Sequence, residues 1–487
     1  MSLTGEEALA LANAYTDKKS GGGGGGTTDY RDLSNKPQIN GHILNGNKTS
    51  SELGLASSQD VSDINAAIDD VNSDIDDIKT DIDKIKISIP KVYGFHIDSN
   101  NSLPSGSVTY IGDAVGMTPA YMDYTNDVFN YGSWGDIWFV KDCKPCILNQ
   151  NGTVSAYLNK NDYSKDIYGV DVEIGGNLVG ANVMIEFPKI WYKVEPDTSN
   201  ESSASVYISP VKVDEGYKDY AYIDYQGNHK EHFYMPAFNG SIVDGVMRSI
   251  SGTQVSKTLT GQQEIDACVA NGNGWYTEDA GEIMLINFLL ILMGKSTDTR
   301  SVYGEGLYYG GTETINDGFR TGVHNTKGMF YGTNSGTIDS GSYGNTVKVF
   351  GMENYWGFQW RRYAGDMLIN GVRKIKLGYG MEDGSTAQSF NSTGDGYVDI
   401  GATPSGTSGG YISVMKFGFD GMYSKVSSGT SSTYYCAGLW FDNNNNQIYA
   451  LRGGGPYDGL RAGALCVRLA NAFGSAWWAF GAAPSFK

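Results

Sequence analysis

The strongest constraint on this chain is a run of β-branched residues between positions 61 and 89. Val61, Ile64, Ile68, Val71, Ile75, Ile78, Ile82, Ile85 and Ile89 recur at alternating intervals of three and four residues without a break. A straight helix repeats every 3.6 residues and drifts away from such a stripe, so a sustained mean spacing of 3.5 predicts helices wound around one another. Isoleucine at both seam positions, with Val61 at a and Ile64 at d, shifts the preference from dimers towards trimers or tetramers. The flanking charges agree with a parallel bundle: Asp74 faces Lys79, and Asp81 faces Lys86, as g-to-e′ pairs of opposite sign. Aspartates crowd the early turns and lysines the last, which complements the helix dipole. The expected rod is roughly 40 Å long and stops at Pro90.

Ahead of the rod, residues 3–18 place Ala and Leu at helical spacing. Six glycines, Gly21 to Gly26, follow and predict a hinge. Residues 27–59 contain Asn-Gly pairs at 40–41 and 45–46, the signal for tight β turns. After Pro90 the texture becomes short β-like runs broken by Gly, Asn, Asp and Ser. Two helices are expected there, one starting near Gln262 and one capped by Thr277 and stopped at Gly294, an α+β arrangement. The expected division is 1–26, 27–59, 60–90, 91–200 and 201–487.

The 487 residues include 66 Gly and 33 Tyr but only 18% charged residues, a profile of a loop-rich β protein. A formal net charge of -18 argues against nucleic acid or an anionic membrane surface as the main partner. The N-terminal stretch has no basic region, so a secretory signal is not expected. The longest apolar run, Ile283 to Met293, is too short to span a bilayer and reads as a buried helix, so no membrane insertion is expected. Five cysteines, an odd number, imply no disulfide framework and fit synthesis in a reducing cytoplasm.

Catalytic and metal-binding patterns are weak. Cys143 to Cys146 has Cys-x-x-Cys spacing but no second such pair. His229 and His232 lack an obvious third ligand. Asp442 to Asn446 lacks paired carboxylates and reads as a turn. Gly304 to Gly311 is not closed by the Lys-Ser/Thr of a phosphate loop. No internal repeat suggests a solenoid that cleaves polysaccharide. The expectation is a non-enzymatic protein with no cofactor and no metal.

Two segments carry a family resemblance. Residues Gly351 to Gly365, GMENYWGFQWRRYAG, resemble the tryptophan-bearing core strand of C-type-lectin-like folds related to formylglycine-generating enzyme. Ala450 to Gly454, ALRGG, resembles the Arg-Gly-Gly turn found later in those folds. The remaining C-terminal segment resembles the variable region of bacteriophage tail proteins diversified by retroelements, and upstream stretches, YRDLSNKPQINGHILNGNKTSSELGL among them, are similar to tail-fibre segments. Oxidase chemistry of the related enzymes would need a nearby cysteine pair. Only Cys436 and Cys466 are candidates, and neither has the matching neighbours.

The resemblance implies a mixed fold: an N-terminal helix, a trimeric parallel coiled coil, a β-rich module and an α+β C-type-lectin-like C-terminal domain whose variable region covers about 452–481. It implies a homotrimer at a phage tail tip, made in the host cytoplasm. Such a trimer would anchor to a tail or baseplate protein through its N-terminus and bind a glycan or protein receptor on the bacterial surface. The alternative is a structural baseplate or fibre component that binds another virion protein. Scaffold positions would be Gly453, Gly454, Gly459, Gly463, Leu469, Asn471, Trp478 and Gly481. Receptor-binding positions would be Gly455, Tyr457, Asp458, Arg461, Arg468, Ala470, Ser475, Trp477 and Ala479. All of these except Trp477 are reachable from an AAC codon by changing its first two bases. Tyr457, Asp458, Arg461 and Arg468 are expected to face solvent, and Trp360 and Trp478 to be buried.

Overall fold

A computed structural model describes residues 36, 38–44, 47–49, 51–88, 90–307, 320–334 and 346–487. The expected helix at 3–18, the glycine hinge and the Asn-Gly pair at 45–46 lie outside them. The chain is β-rich with few helices, and divides into two compact units, Met1–Ile89 and Pro90–Lys487.

In the first unit the pair Asn40–Gly41 turns a small hairpin between Gln38–Ile39 and His42–Ile43. Both turn residues have positive φ (47° and 80°), the geometry that Asn-Gly favours. Helix α1, Ser58–Ser88, then runs for 31 residues. It begins at a reciprocal cap: the Asp60 amide donates to Ser57 Oγ (3.1 Å), and the Ser57 amide donates to Asp60 Oδ2 (2.6 Å). The apolar stripe predicted from sequence is exposed along it. Val61, Ile64, Ile68, Val71, Ile75, Ile78 and Ile82 each leave between 43% and 58% of their surface uncovered within a single chain. A contiguous exposed apolar row of that length is a mark of an interaction surface.

The second unit is built on three larger sheets. One has four strands in the order Trp191–Asp197, Asn200–Ser209, Tyr93–Ile97, Val108–Gly112. A seven-stranded sheet pairs Ala181–Pro188 with Lys144–Asn149 on one side and His232–Pro236 on the other, and reaches Pro484–Phe486 and Trp275–Thr277 at its edge. A ten-stranded sheet holds the C-terminal segment. No division falls at residue 200. That position begins the strand Asn200–Ser209, and the seven-stranded sheet draws strands from both sides of the expected boundary, so 91–200 and 201–487 are one compact unit.

Two helices in this unit match the expected positions, with one correction. Helix α2, Gly261–Val269, is capped by Thr260 and Gln263. Helix α3, Ala280–Gly294, is buried along its whole length, as its unbroken apolar run predicts. Its cap is Asp279, reciprocated by Glu282, rather than Thr277. Thr277 instead ends the strand Trp275–Thr277, opposite Pro484. Among the described residues no helix is long and apolar enough to cross a membrane.

The central strand of the ten-stranded sheet, Trp360–Ile369, is buried from Trp360 to Leu368 although it contains two consecutive arginines. Arg361 and Arg452 both donate to Glu278, Arg361 through Nε at 3.0 Å and Arg452 through Nη2 at 2.6 Å. Arg362 Nε meets Glu264 at 2.6 Å, and its Nη2 donates to the Ser475 carbonyl at 3.0 Å. Charges this deep are tolerable only when paired in this way. The pairs tie α2 and the turn before α3 to the strand that underlies the C-terminal segment.

Candidate functional site

The backbone of the C-terminal segment is fixed by residues other than most of the predicted binding positions. Strand Ile448–Arg452 runs into Gly453 and Gly454, whose φ values of 87° and 82° disfavour any side chain. A Cβ on Gly453 would approach the Tyr355 carbonyl to 3.0 Å, and one on Gly454 would meet Ala462 at 2.9 Å. The Gly453 amide donates to the Cys466 carbonyl (3.0 Å), and the Gly453 carbonyl accepts from Gly463 (3.2 Å) and Gly357 (3.1 Å). A single 3₁₀ turn, Gly459–Arg461, follows, and then strand Val467–Leu469, parallel to Gly438–Phe441. The segment returns through Phe480–Gly481, which pairs in parallel with Trp360 and Arg361.

On this frame the predicted positions divide into two groups. Gly455, Asp458 and Ala479 are buried, which corrects the expectation that they face a partner. A Cβ on Gly455 would sit 3.0 Å from the Tyr457 ring and 3.2 Å from Trp360, so a larger residue there must move Tyr457. Ala479 accepts the Trp360 amide through its carbonyl at 3.0 Å and belongs to the core. Asp458 turns back along the chain and accepts the Gly455 amide on Oδ2 at 2.6 Å. Its side chain holds the turn together, a common use of aspartate in loops.

Tyr457, Arg461, Arg468, Ala470, Ser475 and Trp477 all keep some exposure. Tyr457, Trp477 and Trp478 form one aromatic group, with ring centroids 5.4, 5.6 and 5.5 Å apart. Trp477 is 37% exposed and Leu460, on the 3₁₀ turn, 38%. Trp478 is only partly buried, against Val255, Leu307 and Phe358, so the expectation of a fully buried scaffold residue is corrected. Trp360 is fully buried, as expected.

The two arginines are held by tryptophans. The Arg461 guanidinium lies 5.4 Å from the Trp440 ring and Arg468 lies 5.7 Å from Trp360, while Trp440 and Trp360 meet edge-on at 5.1 Å. Arg461 also donates to the Asp458 carbonyl through Nε and to the Gly409 carbonyl through Nη1, both at 3.1 Å. Arg468 Nε donates to Asn471 Oδ1. Trp440 and Leu460 were missed from sequence. Trp440 sits in an ordinary strand, Gly438–Phe441, and only the parallel pairing with Val467–Leu469 brings it beneath the site.

Asp458 gives the site a pH signature. Burial pushes its carboxyl up to about 6, against opposing pulls from the Gly455 amide and from Arg468 and Arg461. The folded state therefore holds the proton more tightly than an unfolded aspartate, whose ordinary value is 3.8. This contribution is fully present below about 4 and is lost as pH rises through about 6. Asp458→Asn keeps an oxygen for the Gly455 amide and removes the ionisation. It should flatten the dependence of melting temperature on pH between those values. An unchanged slope in scanning calorimetry would place the titration elsewhere.

The patterns set aside in the sequence do not converge into a catalytic centre. Cys143 and Cys146 are buried free thiols, both pushed up by burial, which disfavours the reactive thiolate. His229 and His232 do not share a site. His229 bridges Asp219 (2.8 Å) and Glu382 (3.0 Å), with Lys189 also on Asp219 at 2.5 Å, and the ligand atoms of Asp219, His229 and Glu382 lie close enough together to hold a metal ion. His232 meets the Phe187 carbonyl at 3.3 Å. Asp442 accepts the Asn444 amide at 3.0 Å in a turn. In comparisons with known proteins, no family model and no curated sequence matches the chain.

Proposed function

We propose that this chain is a receptor-binding protein of a bacteriophage tail tip, active as a homotrimer and binding through the exposed aromatic and arginine side chains of its C-terminal segment. The observation that carries the reading is the division of labour in residues 453–481. Glycines, Asp458 and buried ion pairs fix the backbone, while Trp477 is exposed and Tyr457, Arg461 and Arg468 are half-buried. Tyr, Trp and Arg dominate the energetic centres of protein interfaces, because they bury much area at little entropic cost. The resemblance of this segment to retroelement-diversified regions and of Gly351 to Gly365 to a C-type-lectin-like core strand supports the same reading. The exposed isoleucine seam of α1 supports association of copies, and three modest sites on one particle bind far more tightly than one.

The test is a quadruple substitution of Tyr457, Arg461, Arg468 and Trp477 by Ala. Surface truncations usually change stability by less than about 0.5 kcal/mol, although lost packing on Trp440 and Trp360 adds to that here. Each anchoring residue can contribute about 2 kcal/mol or more to binding. Adsorption to the host strain should vanish while the trimer mass is kept. Normal adsorption by this variant would favour the baseplate-component reading, in which the C-terminus meets another virion protein.

A further inference from the structure

We propose that the receptor is read in part as an uncharged saccharide, whose ring enters a polar groove beside the aromatic patch, with Arg461 and Tyr411 as the anchoring side chains. The inference rests on the receptor-binding reading and names the ligand class.

The groove is open to solvent and has a volume of about 430 Å³, within the size range of small-ligand sites. Thr407, Tyr411 and Ser428 line one wall; Gly459, Leu460 and Arg461 line the other. Tyr411 and Ser428 of the first wall come from strands Gly410–Gly418 and Gly421–Gly429 of the ten-stranded sheet, Thr407 from the loop ahead of them, and the second wall from the 3₁₀ turn of the C-terminal segment. Three features select the ligand. The lining is rich in hydroxyls, which suits a ligand that both donates and accepts hydrogen bonds at several points. Ser428 Oγ is already placed by Ser413 Oγ at 2.8 Å, and Ser427 Oγ beneath it donates to the Thr407 carbonyl at 2.7 Å, so this wall is set before any ligand arrives. Leu460 is the only aliphatic side chain in the lining, too little apolar surface to capture a peptide side chain.

Arg461 supplies direction. A guanidinium has five N–H donors. The Arg461 Nε and Nη1 bonds to the Asp458 and Gly409 carbonyls, with the Trp440 ring at 5.4 Å, lock the group while the Nη2 pair remains for a ligand. A fork held in this way suits two neighbouring hydroxyls on a pyranose, and Tyr411 offers the aromatic face on which the apolar side of such a ring packs. An uncharged ring also agrees with the net charge of -18, which repels anionic polymers. Arg461 is then shared between the groove and the Trp440 ring, so substitution at this one position would alter both.

The experiment uses the full-length protein and surface polysaccharide extracted from the strain to which it adsorbs, native and after periodate oxidation, which cleaves vicinal diols. Native polysaccharide should bind, and the oxidised form should bind about tenfold more weakly or not at all. Ser428→Trp, at an exposed position on the groove wall, should weaken binding by about tenfold or more with melting temperature and trimer mass unchanged; Arg461→Met should weaken it as much, with the trimer mass kept and a modest fall in melting temperature from its two lost hydrogen bonds. Equal binding of native and oxidised polysaccharide overturns the proposal, as does full binding by both variants. If cells adsorb the protein but their polysaccharide does not, and protease treatment of the cells abolishes adsorption, the saccharide assignment falls while receptor binding stands. If no strain adsorbs the protein, both fall together.

Discussion

If the proposed trimer is right, replacing Ile75 and Ile82 by asparagine is expected to convert it into monomers and to remove most of the proposed adsorption to host cells. Within one chain these two residues are 43% and 45% exposed on α1, in line with five other seam residues exposed to a similar degree. Assembly is what would bury them. Each asparagine would then place an unpaired amide in an apolar seam, at about 1–3 kcal/mol per buried group, repeated in every copy. The loss should exceed the stability of a short coiled coil. Adsorption should fall further than single-site affinity explains, because avidity of about 10²–10⁴ disappears with the trimer. Residues Pro90–Lys487 form a separate compact unit and should melt as before. Multi-angle light scattering reads the result directly, and a monomeric or dimeric mass for the unsubstituted protein would refute the assembly proposed here.

The second large effect is expected at Glu278. This carboxylate is fully buried and receives both Arg361 and Arg452. Glu278→Ala would leave two cations without their shared partner, deep between the strands Trp360–Ile369 and Ile448–Arg452. Breaking a buried pair in this way costs about 3–5 kcal/mol. The penalty is desolvation of the stranded charges, so it should exceed that of any surface variant of the C-terminal segment. The Gly453–Gly454 turn follows directly on Arg452, so the proposed receptor binding should be lost along with stability. Urea unfolding followed by tryptophan fluorescence is the measurement. A midpoint shift equivalent to less than about 1 kcal/mol would mean that the arginines reach water or another acceptor.

Much of the local structure was legible. The helix of residues 58–88, the Asn40–Gly41 turn, the buried helix ending at Gly294 and the obligate glycines at 453 and 454 all follow from neighbouring residues: periodicity, capping, turn dihedrals and the absence of a Cβ. These are short-range free energies, and the chain carries them wherever it folds. Even there, the cap of the buried helix moved from Thr277 to Asp279. Both residue types cap well, and pairing of the strand Trp275–Thr277 with Pro484–Phe486 decided between them.

What the tertiary structure decided is which side chains of the C-terminal segment reach solvent. Asp458 reads as a surface residue until its carboxylate is seen on the Gly455 amide. Trp440 joins the site only because its strand pairs in parallel with Val467–Leu469, and Trp360 reaches Arg468 only across the antiparallel strand Ile448–Arg452. The expected boundary at residue 200 fails for the same reason, since strands from residues 144–188 and residues 232–277 share one sheet with residues 484–486. Such pairings join positions hundreds of residues apart. Their energy depends on loop closure and on the fit of whole sheets, and no window of sequence contains it.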